Sequence, residues 1–64
     1  QQRCLRLKRD MQAGEILRDS DIEVLRPAPA DALRPYQRAL AIDKRLKTDK
    51  QAGDAIYPAD VEDL

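Results

Sequence analysis

The sequence predicts a mainly β domain of very short strands and single helical turns, and three observations carry that prediction. A ten-residue stretch occurs twice: residues 6–15 read RLKRDMQAGE and residues 45–54 read RLKTDKQAGD, identical at seven of ten positions, with Glu15 aligned to Asp54. Residues 3–9 alternate, Leu5 and Leu7 on one side and Arg6 and Lys8 on the other, the period of two that marks a half-buried strand. The third is a further extended run, Glu23-Val24-Leu25-Arg26-Pro27. The longest apolar run, Ala39-Leu40-Ala41-Ile42, is too short to span a membrane or serve as a signal h-region.

The likeness between the copies continues more loosely through Leu17 and Ile56, Asp21 and Asp60, and Ile22 and Val61. In each copy a strand-like run reaches Asp-x-Gln-Ala-Gly-acid, turns, and resumes with an apolar pair, Ile16-Leu17 or Ala55-Ile56. Gly14 and Gly53, the only glycines, suit a tight turn because they reach positive φ without steric cost. A lone hairpin of this length is marginal in water. Two such units related by an approximate twofold axis would cover each other's apolar side and share one small core.

Taken in order, residues 3–9 form the first strand and Ile16-Leu17 a second. Arg18-Asp19-Ser20-Asp21-Ile22 reads as a single helical turn, with Asp19 or Ser20 accepting from its free amides. Asp19, Asp21 and Glu23 read as a solvated acidic face, since Leu25, Arg26 and Pro27 stand where a calcium loop needs its distal ligands. Residues 23–27 form an extended run closed by Pro27, which disfavours helix at Arg26. A loop at residues 28–32 follows, then from Asp31 or Leu33 a helix of no more than two turns ending at Leu40, with Pro35 near its first turn, where the missing N–H costs nothing. Residues 42–47 return as a strand into the second copy, and a strand at 55–57 with a turn at 58–61 closes the chain.

Composition sets limits. Sixty-four residues make one domain at most, of a size that buries only about 60% of its unfolded surface. One cysteine and no histidine exclude an internal disulfide and the usual zinc sites. Cys4 has no histidine to activate it and reads as a small buried thiol. With two tyrosines and neither Phe nor Trp, the core must be built from Leu, Ile, Val, Ala and Met. Twelve basic and twelve acidic residues cancel, which argues against a general nucleic-acid or membrane-surface binder. No stretch offers a nucleophile beside a base, a phosphate loop or a metal cluster, so residues 1–64 are expected to be catalytically inert. The start at Gln1 suggests excision from a longer chain, whose function these residues would serve.

The residue order now carries a resemblance. A strand, Asp-x-x-Ala-Gly-Glu-Ile-Leu, Asp-Ile, Glu-Val-Leu-Arg-Pro, Leu33-x-Pro35-Tyr36, Leu40-Ala41-Ile42 and a second Asp-x-x-Ala-Gly ending on Asp60-Val61 resemble the SAF family over residues 3–61. Within it, the chain is most similar to the antifreeze-like domain at the C-terminus of bacterial sialic acid synthases, relatives of type III antifreeze proteins. The resemblance implies a β-clip fold with internal pseudo-twofold symmetry. It further implies a cytoplasmic parent enzyme whose N-terminal (β/α) barrel holds a divalent metal, Mn or Mg, and condenses phosphoenolpyruvate with an amino sugar such as N-acetylmannosamine. In such enzymes the domain of one subunit caps the partner's barrel in a domain-swapped homodimer. No cofactor is expected in the domain itself.

By position, Arg26 matches the arginine that contacts the amino-sugar substrate, and a guanidinium on a proline-stiffened strand end offers directed donors to its oxygens. The competing reading makes Arg26 a surface residue paired with Glu23 or Asp21. Ala28-Pro29-Ala30-Asp31-Ala32 and Leu40-Ala41-Ile42 replace glycine-containing family segments, so the capping loop is expected to be shaped differently and to suit related acceptors, legionaminic or pseudaminic acid precursors among them. Two further classes stand beside the lid: a SAF binding module of the flagellar or pilus assembly chaperone type, and an ice-binding protein, for which so charged a surface leaves little flat apolar area.

Overall fold

The computed structural model describes residues 2–62 and builds them from four short strands and three 3₁₀ turns. Strand β1 (Cys4–Leu7) pairs antiparallel with β2 (Ile22–Leu25), Leu5 opposite Val24 and Leu7 opposite Ile22. Strand β3 (Arg45–Leu46) pairs antiparallel with β4 (Val61–Glu62), Leu46 opposite Val61. The 3₁₀ turns span Asp19–Asp21, Pro35–Leu40 and Pro58–Asp60. The domain is therefore mainly β, with two small two-stranded sheets.

The sequence repeat reappears in the hydrogen bonds. Gly14 N donates to Leu46 O at 2.9 Å, and Gly53 N donates to Leu7 O at 2.8 Å, each residue lying 39 positions from its counterpart. Leu46 N to Glu15 O (2.9 Å) is matched by Leu7 N to Asp54 O (3.0 Å), and Lys8 N to Asp21 O by Lys47 N to Asp60 O, both 2.8 Å. Met11 and Lys50 bond each other in both directions at 2.9 Å. The side chains follow: Asp49 accepts from Ala13 N and Asp10 from Ala52 N, both at 2.8 Å, so each turn is held by an acid of the other copy. Glu15 and Asp54 accept from Gln12 N and Gln51 N inside their own turns, at 2.7 and 2.8 Å. Gly14 (φ 96°) and Gly53 (φ 89°) supply the positive φ these turns need.

The core is aliphatic, as composition requires. Leu5, Leu7, Met11, Leu17, Ile22, Leu33, Ala41, Leu46 and Ile56 form one buried cluster, and Val24, Ile42 and Val61 pack against it. Cys4 is fully buried in a smaller cluster with Ala32 and Ala55, its Sγ 3.6 Å from Pro27 O. Cys4 thus joins Leu5 and Leu7 inside, so the alternation of β1 is incomplete at its first residue.

Several expectations change in detail. Ile16 and Ala55 make isolated bridges, to Arg45 and Arg6, rather than strands. The run at 42–47 shortens to β3, because Asp43 adopts φ 65° and the chain turns there. The first 3₁₀ turn is capped by Asp21, not by Asp19 or Ser20: its Oδ2 accepts from Arg18 N at 3.0 Å, while Oδ1 accepts from Arg9 Nε at 2.9 Å. Asp21 is only 7% exposed, so the acidic face is solvated at Asp19 but not here. A carboxylate that reaches back to the start of its own turn must point inward, which alternation along the chain does not reveal.

Burial raises the carboxyl pKa of Asp21, but the Arg18 amide, the Arg9 guanidinium and the positive charge of both residues outweigh it, and the net shift is downward. A depressed carboxyl pKa stabilises the fold above the unfolded value of 3.8 and is lost as pH falls through the folded value. Thermal unfolding should therefore be flat in pH down to about 4 and decline below it. Asp21→Asn should remove part of that decline; an unchanged acid slope in the variant would contradict the assignment.

Candidate functional site

The antiparallel pairing of β1 with β2 brings the chain start beside the end of β2, where Arg26 follows Leu25. The Arg26–Pro27 peptide is cis, and Arg26 is exposed. Leu33 N donates to Ile56 O and Leu33 O accepts from Leu5 N, at 2.8 and 2.9 Å, which ties the segment before the second 3₁₀ turn to the core. Pro35 opens that turn, and Gln37 Oε1 accepts from Arg34 N at 2.9 Å, so Arg34 and Tyr36 emerge from a fixed backbone.

These segments meet around an open depression of about 420 Å³ lined by Gln2, Arg3, Arg26, Arg34, Pro35 and Tyr36. Tyr36 stands out from it, 85% exposed, and among the described residues no carboxylate lines it. A second depression of about 770 Å³ lies on the other side of Arg34 and Tyr36, where Tyr57, Asp31 and Asp60 contribute to its wall. Asp60 is engaged there by Lys50 Nζ at 2.6 Å and by Tyr57 N at 2.8 Å.

Arg26 thus sits where directed donors, an exposed aromatic ring and a concave surface coincide. Asp21, one of the two acids weighed as its ion-pair partner, is occupied by Arg9 and the Arg18 amide. Sequence reasoning did not single out Arg3, Arg34 or Tyr36 as site residues. Tyr36 carried a signal as an aromatic beside a helix-opening proline; Arg3 and Arg34 carried none, because only the fold places their distant stretches on one wall. Among the described residues, no group of three or more His, Cys, Asp or Glu could hold a metal ion, and no helix is long and apolar enough to cross a membrane.

No curated protein matches the chain. A family model for the SAF domain matches residues 2–62, the whole of the described structure. The residue order that resembled this family, the paired Asp-x-x-Ala-Gly turns and the Arg-Pro between them, is thus accounted for, and the chain belongs to the SAF domain family.

Proposed function

We propose that this SAF domain is the lid of a sialic acid synthase-like enzyme, capping the partner subunit's barrel and presenting Arg26 to the amino-sugar acceptor during condensation with phosphoenolpyruvate. In this reading residues 1–64 form a single antifreeze-like domain in the C-terminal part of a cytoplasmic, domain-swapped homodimer. The divalent metal belongs to the barrel, and no residue of this chain is assigned to it. The fold reads as a β-clip with pseudo-twofold symmetry, supported by the hydrogen bonds that recur at the repeat's own offset of 39, such as Gly14–Leu46 and Gly53–Leu7.

One observation carries the functional reading: Arg26 lies on the wall of a concavity that no carboxylate of the described residues lines, beside an exposed tyrosine. A substrate held there under a barrel mouth would be oriented and shielded from water, which lowers the barrier without any acid, base or nucleophile from the lid. The test uses the full-length protein that carries the domain, supplied with phosphoenolpyruvate, manganese and N-acetylmannosamine or a related amino sugar. Phosphate release is expected, with Arg26→Ala lowering kcat/KM for the acceptor by at least about tenfold while the protein stays folded and dimeric. Release that is equal in the variant returns Arg26 to a surface role, and no release with any such acceptor overturns the synthase reading.

A further inference from the structure

The formal charge of the chain is zero, yet among the described residues its arginines are unevenly paired. Away from the depression beside Arg26 they are held in place by partners. Arg9 pairs with Glu15 and Asp21, Arg18 with Asp43, Arg38 with Asp19 and Arg45 with Glu62. Arg6 sends Nη1 and Nη2 to the carbonyls of Gly53 and Pro27. Arg3 and Arg34 differ: among the described residues, neither side chain has a hydrogen-bonding or ion-pair partner. Arg34 is half-buried, and its Nη1, like Arg6 Nε, is enclosed without an acceptor. Both line the same concavity as Arg26.

Like charges gathered on one concave wall repel one another and raise the local concentration of anions. A half-buried guanidinium that no carboxylate neutralises gains most when an anion arrives, and the planar fork of N–H groups matches a carboxylate or phosphate in bidentate fashion. We infer that this depression is an oxyanion subsite: Arg34 is the principal donor, Arg3 adds charge, and Tyr36 covers the body of a small ligand bearing a phosphate or carboxylate. The neighbouring concavity shares Arg34 and Tyr36 but carries Asp31 and Asp60, so the anion belongs on the side that no carboxylate of the described residues lines. The inference concerns this chain by itself and does not depend on the identity of the parent enzyme.

The test is a titration of the isotopically labelled chain, followed by amide chemical shifts at fixed ionic strength, with inorganic phosphate in one arm and acetate in the other. Saturable shifts are expected at residues 33–37 and beside Arg3, with Arg34→Gln weakening binding about tenfold. Arg18→Gln, exposed and paired elsewhere, should leave it unchanged. Phosphate binding well ahead of acetate identifies a phosphoryl ligand; comparable binding identifies a carboxylate. If Arg34→Gln loses the native spectrum, Arg3→Gln, on an exposed residue, takes its place and should weaken binding several-fold. Shifts that do not saturate, or that saturate equally in these variants, overturn the subsite.

Discussion

Leu46→Ala should remove a large share of the stability of this domain. Leu46 is 1% exposed, lies in the main core, and sits in β3 between two backbone bonds to the first repeat, Leu46 N to Glu15 O and Gly14 N to Leu46 O, both 2.9 Å. Truncation removes the transfer free energy of the buried carbons and leaves a cavity that rigid neighbours fill only in part, a cost of about 2–5 kcal/mol. A domain of 64 residues has a total of roughly 3–10 kcal/mol to lose. No disulfide offsets the loss, because Cys4 is the sole cysteine. Leu7, the counterpart of Leu46 in the first repeat, is also fully buried and should behave alike. The control is Leu40→Ala, on an exposed side chain of the second 3₁₀ turn, which should stay within about 0.5 kcal/mol of wild type. Urea unfolding followed by circular dichroism separates the cases: equal midpoints for Leu46→Ala and Leu40→Ala would mean that the core does not hold the two repeats together.

That dependence on one core was legible in advance because the repeat states it. Seven shared residues announced segments that make matching backbone hydrogen bonds, and the absence of Phe and Trp announced a core of small side chains. The glycine positions announced the turns; the longest 3₁₀ segment, expected from Asp31 or Leu33, begins only at Pro35, because Asp31 adopts φ 70° and the chain up to Leu33 is tied to the core. What escaped was whatever depends on contacts between distant residues. Asp10 and Asp49 stood only as the first residue of each Asp-x-Gln-Ala-Gly run, yet each caps the other copy's turn, 42 and 36 residues away. A two-residue strand such as β4 has no period to detect, and only its pairing with β3 defines it. The site follows the same rule. Arg26 stood out because the Arg-Pro pair resembles a family motif, whereas Arg3, Arg34 and Tyr36 join it only after β1, β2 and the second 3₁₀ turn have been assembled. Local chemistry can be read along a chain, but a wall built from three stretches cannot.

The two repeats also solve one electrostatic problem in different ways, and the difference predicts unequal costs. Asp21 and Asp60 occupy equivalent positions, each accepting from the amide that opens its own turn, Arg18 N at 3.0 Å and Tyr57 N at 2.8 Å. Their cations are not equivalent. Asp21 is paired by Arg9, whose counterpart is Thr48, so the second repeat draws its cation from Lys50 instead, where the first repeat has Met11. Arg9 is 52% exposed and well screened, whereas the side chains of Lys50 and Asp60 are only 10% and 14% exposed, with the ammonium 5.2 Å from the centre of the Tyr57 ring. Asp60→Asn keeps an oxygen for the Tyr57 amide but leaves an enclosed ammonium without its counter-ion, which should cost about 3 kcal/mol or more. Asp21→Asn strands only a half-exposed guanidinium and should cost about 1 kcal/mol at neutral pH. Adding Lys50→Met to Asp60→Asn removes the stranded charge and restores the residue type of the first repeat, so the double variant should recover most of the loss. Denaturant midpoints for the four proteins decide it. A double variant no more stable than Asp60→Asn alone would show that the enclosed charge is not the source of the cost.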